Sequence, residues 1–286
     1  MVALLAALGT AAAAGMSCPQ IVELREAHVA DEEIARRIGM SGVEWGVPAC
    51  LEAAGISGWL VEAAKATLPD EPPPPLSTAE IAAALVADGM SRYQIADTPG
   101  AKAKFAEAAV AFPGGKLSAA ATSFLANPVA GARVGGWKVS ATTDEFAERR
   151  NVYASLDASK AIVGVARAVR PTLLARCAAD GQLSLFIAMN GTVINSDYGE
   201  VWRTTGRTRQ DAAEPESVRF VIGGDRDAVF LPEPLAQMRK LATGESLLVE
   251  VATYGSGSQS MKFPLSGAGE ALALVLGACG QGPIGR

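Results

Sequence analysis

A single histidine, His28, serves the whole chain of 286 residues. Histidine is the usual general base near neutral pH and the commonest metal ligand. One copy, set in the charged stretch ELREAHVADEE, argues against a zinc enzyme or a Ser-His-Asp hydrolase and reads as a surface residue at a helix end. A basic excess is also missing. Against 25 Lys and Arg stand 30 Asp and Glu, a net charge of -5, which removes the electrostatic footprint of a nucleic-acid binder. There is no CxxC pair, no GKS/T loop and no GxSxG elbow, and the GxGxxG at 280–285 follows a helical stretch rather than the strand a dinucleotide site needs. A redox motif, a zinc knuckle, a nucleotide site and a serine nucleophile therefore have no motif to rest on, and neither metal nor cofactor is expected. The carboxylates Glu148, Asp157, Asp180, Asp197 and Asp225 are scattered, mostly in turns. A glycoside hydrolase needs two carboxylates about 5 to 9 Å apart. An envelope hydrolase is thus the least supported reading, and no catalytic residue is assigned.

Long apolar runs are scarce as well. The longest opens the chain, MVALLAALGTAAAAG, and falls short of the roughly 20 residues that span a bilayer. It fits the apolar core and small-residue cleavage zone of a secretory signal over residues 1–14, although no Lys or Arg precedes it. Lipidation at Cys18 is the weaker reading, because Gly15-Met16-Ser17 lacks the leucine expected three places upstream. The expectation is an exported, periplasmic protein with no membrane span after cleavage. Four cysteines, Cys18, Cys50, Cys177 and Cys279, suit an oxidising compartment. Of their three possible pairings, Cys18–Cys50 with Cys177–Cys279 respects the domain layout; four free buried thiols are the competing reading.

Residues 18–68 read as short helices. A pattern recurs in which a helix ends near Gly or His, an apolar residue turns the corner, and Ser or Ala opens the next helix. Its copies start at Leu24, Leu51 and Leu85, which gives two helical hairpins in 18–68 and a third in 79–112, packing on one another through their apolar positions. Between them, residues 69–78 hold four consecutive prolines and read as a semi-rigid polyproline spacer. Residues 113–135 are Ala/Gly-rich and read as a linker holding at most one short helix. From Trp137 the texture changes to short β-rich runs spaced by turns such as 179–181 and Asn190-Gly191. Two helical stretches interrupt, after Pro234 and after Ser266. The fold class expected is α+β, a small helical-hairpin region followed by a mainly antiparallel β-sandwich with a packed C-terminal helix. Leu272, Leu276 and Cys279 share one helical face, so a Cys177–Cys279 bond would pin that helix to a central strand.

Several residues of the β-rich half fall in a familiar order. They are W-x-V at 137–139, R-P-T-L-L-A-R-C at 170–177, F-L-P-E-P at 230–234, M-K-F-P-L-S-G at 261–267 and a terminal Ala-Cys at 278–279. Over residues 136–280 the chain resembles the type VI secretion-associated VasI/TagO-type family. The resemblance implies an exported accessory protein without established enzymatic activity, whose partners are envelope proteins such as type VI secretion components. The family's cysteines correspond to Cys177 and Cys279, and Arg176 belongs to the same motif.

Three functional readings follow. The first is a non-catalytic accessory protein of the envelope, favoured by an apolar patch on the helical hairpins. The second is a periplasmic binding module for peptidoglycan or another ligand, favoured by an exposed aromatic row on the sandwich. The third is the hydrolase, which close carboxylates would revive. The candidate binding surface comprises Arg176, Trp202, Tyr198 and Tyr254. For Arg176, an ion pair with Asp197 or Asp225 is the structural alternative. For the large rings, Trp137 included, core packing is the alternative.

Overall fold

The computed structural model describes residues 17–41, 47–56, 58–66, 75–164, 166–197 and 202–282. The signal segment, most of the proline tract and Tyr198 lie outside the described residues. The chain divides into two compact units, 1–75 and 76–286.

The first unit is helical: α1 (Cys18–Glu26), α2 (Asp31–Ser41), α3 (Val47–Ala53) and α4 (Gly58–Ala66). Its α1–α2 and α3–α4 corners follow the repeat. His28 and Gly55 take the left-handed conformation just past the helix ends, the position where a helix commonly stops. His28 is exposed there, its ring nitrogen 2.9 Å from the Glu26 carbonyl oxygen. Ile21, Ile34, Ile38, Leu51 and Leu60 make a small separate core. So small a core rarely suffices alone, and the Cys18–Cys50 disulfide staples α1 to α3. On the surface of α2, hydrogen bonds from Arg36 and Arg37 hold the Glu33 carboxylate down at a pKa of about 2.

The second unit is α+β. Three helices, α5 (Thr78–Gln94), α6 (Thr98–Ala111) and α7 (Lys116–Ala126), precede ten strands of one antiparallel sheet and a small two-stranded hairpin. Ser77 and Glu80 form a reciprocal cap at the start of α5, directly after the proline tract. Ser77→Ala should lower the unit's stability by about 1 kcal/mol, measurable by urea unfolding.

Two expectations from the sequence are corrected here. The third copy of the repeat places a corner at Gly89, but α5 runs straight through it and the turn falls at Ala96, with Asp97 capping α6. Gly89 serves a different need: a Cβ there would overlap the Phe105 ring of α6. Glycine thus permits close helix packing rather than chain reversal. Residues 113–135 do hold one short helix, α7, but with the first strand they are a packed part of the fold rather than a linker, because Ala120, Ala121 and Phe124 bury a face and Phe124 meets Tyr93 edge-on at 5.0 Å. Both α5–α6 and α7 share a core with the sheet.

The main sheet contains β1 (Ala132–Val134), β2 (Trp137–Asp144), β3 (Arg149–Asp157), β6 (Thr172–Cys177), β7 (Leu183–Ala188), β8 (Arg203–Gln210), β9 (Glu216–Ile222), β10 (Ala228–Phe230), β11 (Ser246–Thr253) and β12 (Gly257–Pro264). Their spatial order is β1-β2-β3-β6-β7-β10-β9-β8-β11-β12. The two-stranded hairpin is β4 (Ile162–Val163) with β5 (Ala168–Val169). The sheet curls until its far end returns to its start. Ser159, just past β3, donates its N–H to Lys262 of β12, and Gly136 donates to Ser266. These bonds tie down part of an edge that would otherwise be open to pairing.

Burial alternates along β2, β6 and β11, as a half-buried strand requires. Inside lie Trp137, Leu173, Leu185, Phe220 and Phe263, all fully buried. The closing helix, α9 (Ala268–Ala278), is buried on nearly all sides, by α5, by α8 (Pro234–Ala242) and by the first strands of the sheet. The Cys177–Cys279 disulfide ties its end to β6. The buried Gln94 side chain donates to the carbonyls of Ala178 and Ala179, fastening α5 to the same corner.

Candidate functional site

The outward face of the sheet gathers part of the expected site. Cross-strand register aligns Ser155, Leu174, Phe186, Phe230, Val221 and Arg203 in one transverse row over six strands. Phe186 and Phe230 stack at 4.9 Å, interplanar angle 26°. One β-repeat along the strands, Tyr153, Arg176 and Ser184 are directly opposite one another.

Arg176 sits half-buried in that second row. Its Nε donates to Ser184 Oγ at 3.0 Å, and its guanidinium carbon lies 5.8 Å from the Phe186 ring centre. The anticipated ion pair with Asp197 or Asp225 does not form. Asp197 instead accepts from the backbone and hydroxyl of Thr205, and those bonds hold its carboxylate below the usual range, with a smaller pull from Arg219. Among the described residues Arg176 makes no ion pair.

The other expected residues separate. Trp137 is fully buried, so the core reading holds for it. Trp202 and Tyr254 are 53% and 68% exposed, before β8 and just after β11. Two of the other carboxylates have local work: Asp157 accepts from Thr172, and Asp180 from the N–H of Gln182. Among the described residues no cluster of three or more His, Cys, Asp or Glu side chains could hold a metal ion. The phenylalanine stack went unnoticed in the sequence because LSLFIA is apolar at nearly every position, so alternation could not say which side faces out.

A second surface lies on the helices. Between α6 and α7 runs an apolar groove of about 610 Å³, lined chiefly by Phe105, Ala106, Ala109, Leu125 and Ala126, with Lys102 at its margin. Val110, 80% exposed, and Phe112 extend the apolar surface at the end of α6. The signal for it was the alanine-rich AKAKFAEAAVAF, whose small side chains cannot fill the space between two helices.

No protein-family model matches the chain, and no curated protein matches it. Among solved structures, the crystal structure of invasion associated protein B from Bartonella henselae is similar at 14% identity and a TM-score of 0.36, over 51% of this chain and 94% of that one. Both disulfides belong to an oxidising environment of the kind that exported proteins meet. No described helix is long and apolar enough to cross a membrane.

Proposed function

We propose that the protein is an exported, non-catalytic accessory factor of the cell envelope that works by holding a partner protein. The observation that carries this reading is the α6–α7 groove. An amphipathic helix of a partner would lay its apolar face between the two helices and cover Ala106, Ala109 and the partly buried Leu125. Exposed apolar surface beside a groove commonly marks a protein-interaction site, and the disulfides suit a periplasmic setting. Association with a type VI secretion system rests on the motif series ending at Cys177 and Cys279.

The test is affinity purification of the tagged, exported protein, compared with Ala109→Arg, which fills the groove with a charged side chain. One envelope protein should be enriched by the wild type and reduced roughly tenfold or more by the variant. Equal recovery by both would contradict the groove as the docking site. A second reading, a peptidoglycan-binding module, draws on the exposed rings of Trp202 and Tyr254. Recovery of wall fragments alone would favour it.

A further inference from the structure

The outward sheet face has a chemistry different from that of the groove, and it calls for a different ligand. The chain as a whole is acidic, with a net charge of -5. Yet bases outnumber acids on this face: Lys138, Arg176, Arg203, Arg207 and Arg219 are among its bases, against Asp144, Asp157 and Glu250, with Asp197 held on Thr205. Some of that charge is already engaged: Glu250 accepts from Arg207 at 2.8 Å, and Arg219 acts on Asp197. Arg176 is different. Ser184 holds its Nε and the Phe186 ring lies beside it, so the guanidinium is oriented in advance while its two terminal nitrogens form no ion pair among the described residues. A guanidinium fixed in this way presents a planar fork matched to a carboxylate.

The apolar row stands beside it. Leu174, Phe186, Phe230 and Val221 are one β-repeat away from the row of Arg176. Two residues of extended chain span about 7 Å, the same repeat as the strands beneath. A strand-like peptide lying along the sheet direction would therefore set an apolar side chain on the Phe186–Phe230 stack and a carboxylate, two residues away, on Arg176. A polyanion or an anionic membrane gains nothing from the stacked rings.

We infer that this face binds an extended segment of a partner protein bearing an apolar and an acidic side chain two residues apart. The inference stands on the sheet and is independent of the helical groove. Its test uses the oxidised, full-length protein and a labelled peptide repeating Phe-Ser-Glu-Ser, with a Glu-Ser repeat lacking phenylalanine and phosphatidylglycerol vesicles as comparisons. The Phe-Ser-Glu-Ser peptide should bind and weaken with added salt. Arg176→Gln and Phe230→Ala should each cost roughly tenfold in affinity. Arg176→Lys should recover only part of the loss, because an ammonium lacks the fork. Melting curves for each variant separate lost binding from lost folding. Absence of binding by a well-folded wild type would overturn the inference, as would equal binding of the Glu-Ser peptide or the vesicles. Unchanged affinity in a folded Arg176→Gln would do the same.

Discussion

Cys177→Ser should destabilise the 76–286 unit by about 4 to 5 kcal/mol, and reductant should do nearly the same to the wild type. The bond joins residues 102 positions apart, with 5.6 Å between their Cα atoms. In the chain-entropy model, opening a loop of that size releases most of the freedom the unfolded chain had lost. The folded state adds a second cost. Cys177 is fully buried at the end of β6, so serine would place a hydroxyl where a sulfur sat. In a domain of this size the loss corresponds to a melting temperature lower by roughly 10 to 20 °C. The helix α9 fills the space between α5, α8 and the sheet, so its release would loosen the core as a whole. Cys18–Cys50 closes a loop of 32 residues and should contribute less, about 3 to 4 kcal/mol, to a unit with a far smaller core. Calorimetry with and without reductant checks both. A wild-type trace that reductant leaves unchanged would contradict the structural role of the bonds.

Gly267→Val is expected to be the most damaging single change outside the cysteines. Here the β1–β2 corner passes across the start of α9, backbone against backbone. Gly135 and Gly267 both have positive φ, +60° and +82°, and a Cβ on Gly267 would press on the Val134 carbonyl. A β-branched residue in that conformation costs about 1 to 3 kcal/mol before any overlap is counted. Moving the corner would also break the Gly136-to-Ser266 hydrogen bond that helps close the sheet. Urea unfolding should therefore show a loss of about 3 kcal/mol or more. Gly224→Ala is the control. Nothing lies within 4 Å of its added Cβ, and a change within about 0.5 kcal/mol is expected. Equal, small effects from both variants would show that the crossing tolerates a side chain.

The sheet was legible where burial is one-sided. TLLARC alternates strictly, and its inward set of Leu173, Ala175 and Cys177 is fully buried. The cysteine pairing followed from the domain layout, and alternation then put Cys177 on a strand and helical spacing put Cys279 on the face of the closing helix. Legibility failed where tertiary contacts decide. At Gly89 a corner and a close helix crossing both call for glycine, and only the partner ring of Phe105 tells them apart. The 113–135 stretch looked like a linker because alanine and glycine carry little periodic signal, although α7 packs well. Half of the serine- and glycine-rich TYGSGSQS, at 253–260, belongs to β12, because its pairing with β11 outweighs a loop-like composition. For the site, Arg176 was a candidate from the sequence, but its company was not legible there. Its neighbours Ser184 and Phe186 come from the next strand, and register alone brings them together.

The most direct test of the central claim is photocrosslinking in cells, with a photoreactive amino acid at Ala109 in the α6–α7 groove. Phe146, fully exposed in the turn between β2 and β3, is the control position. One discrete envelope-protein adduct is expected from position 109 and none from position 146. No adduct at 109, or the same adducts from both positions, would contradict a partner-holding groove.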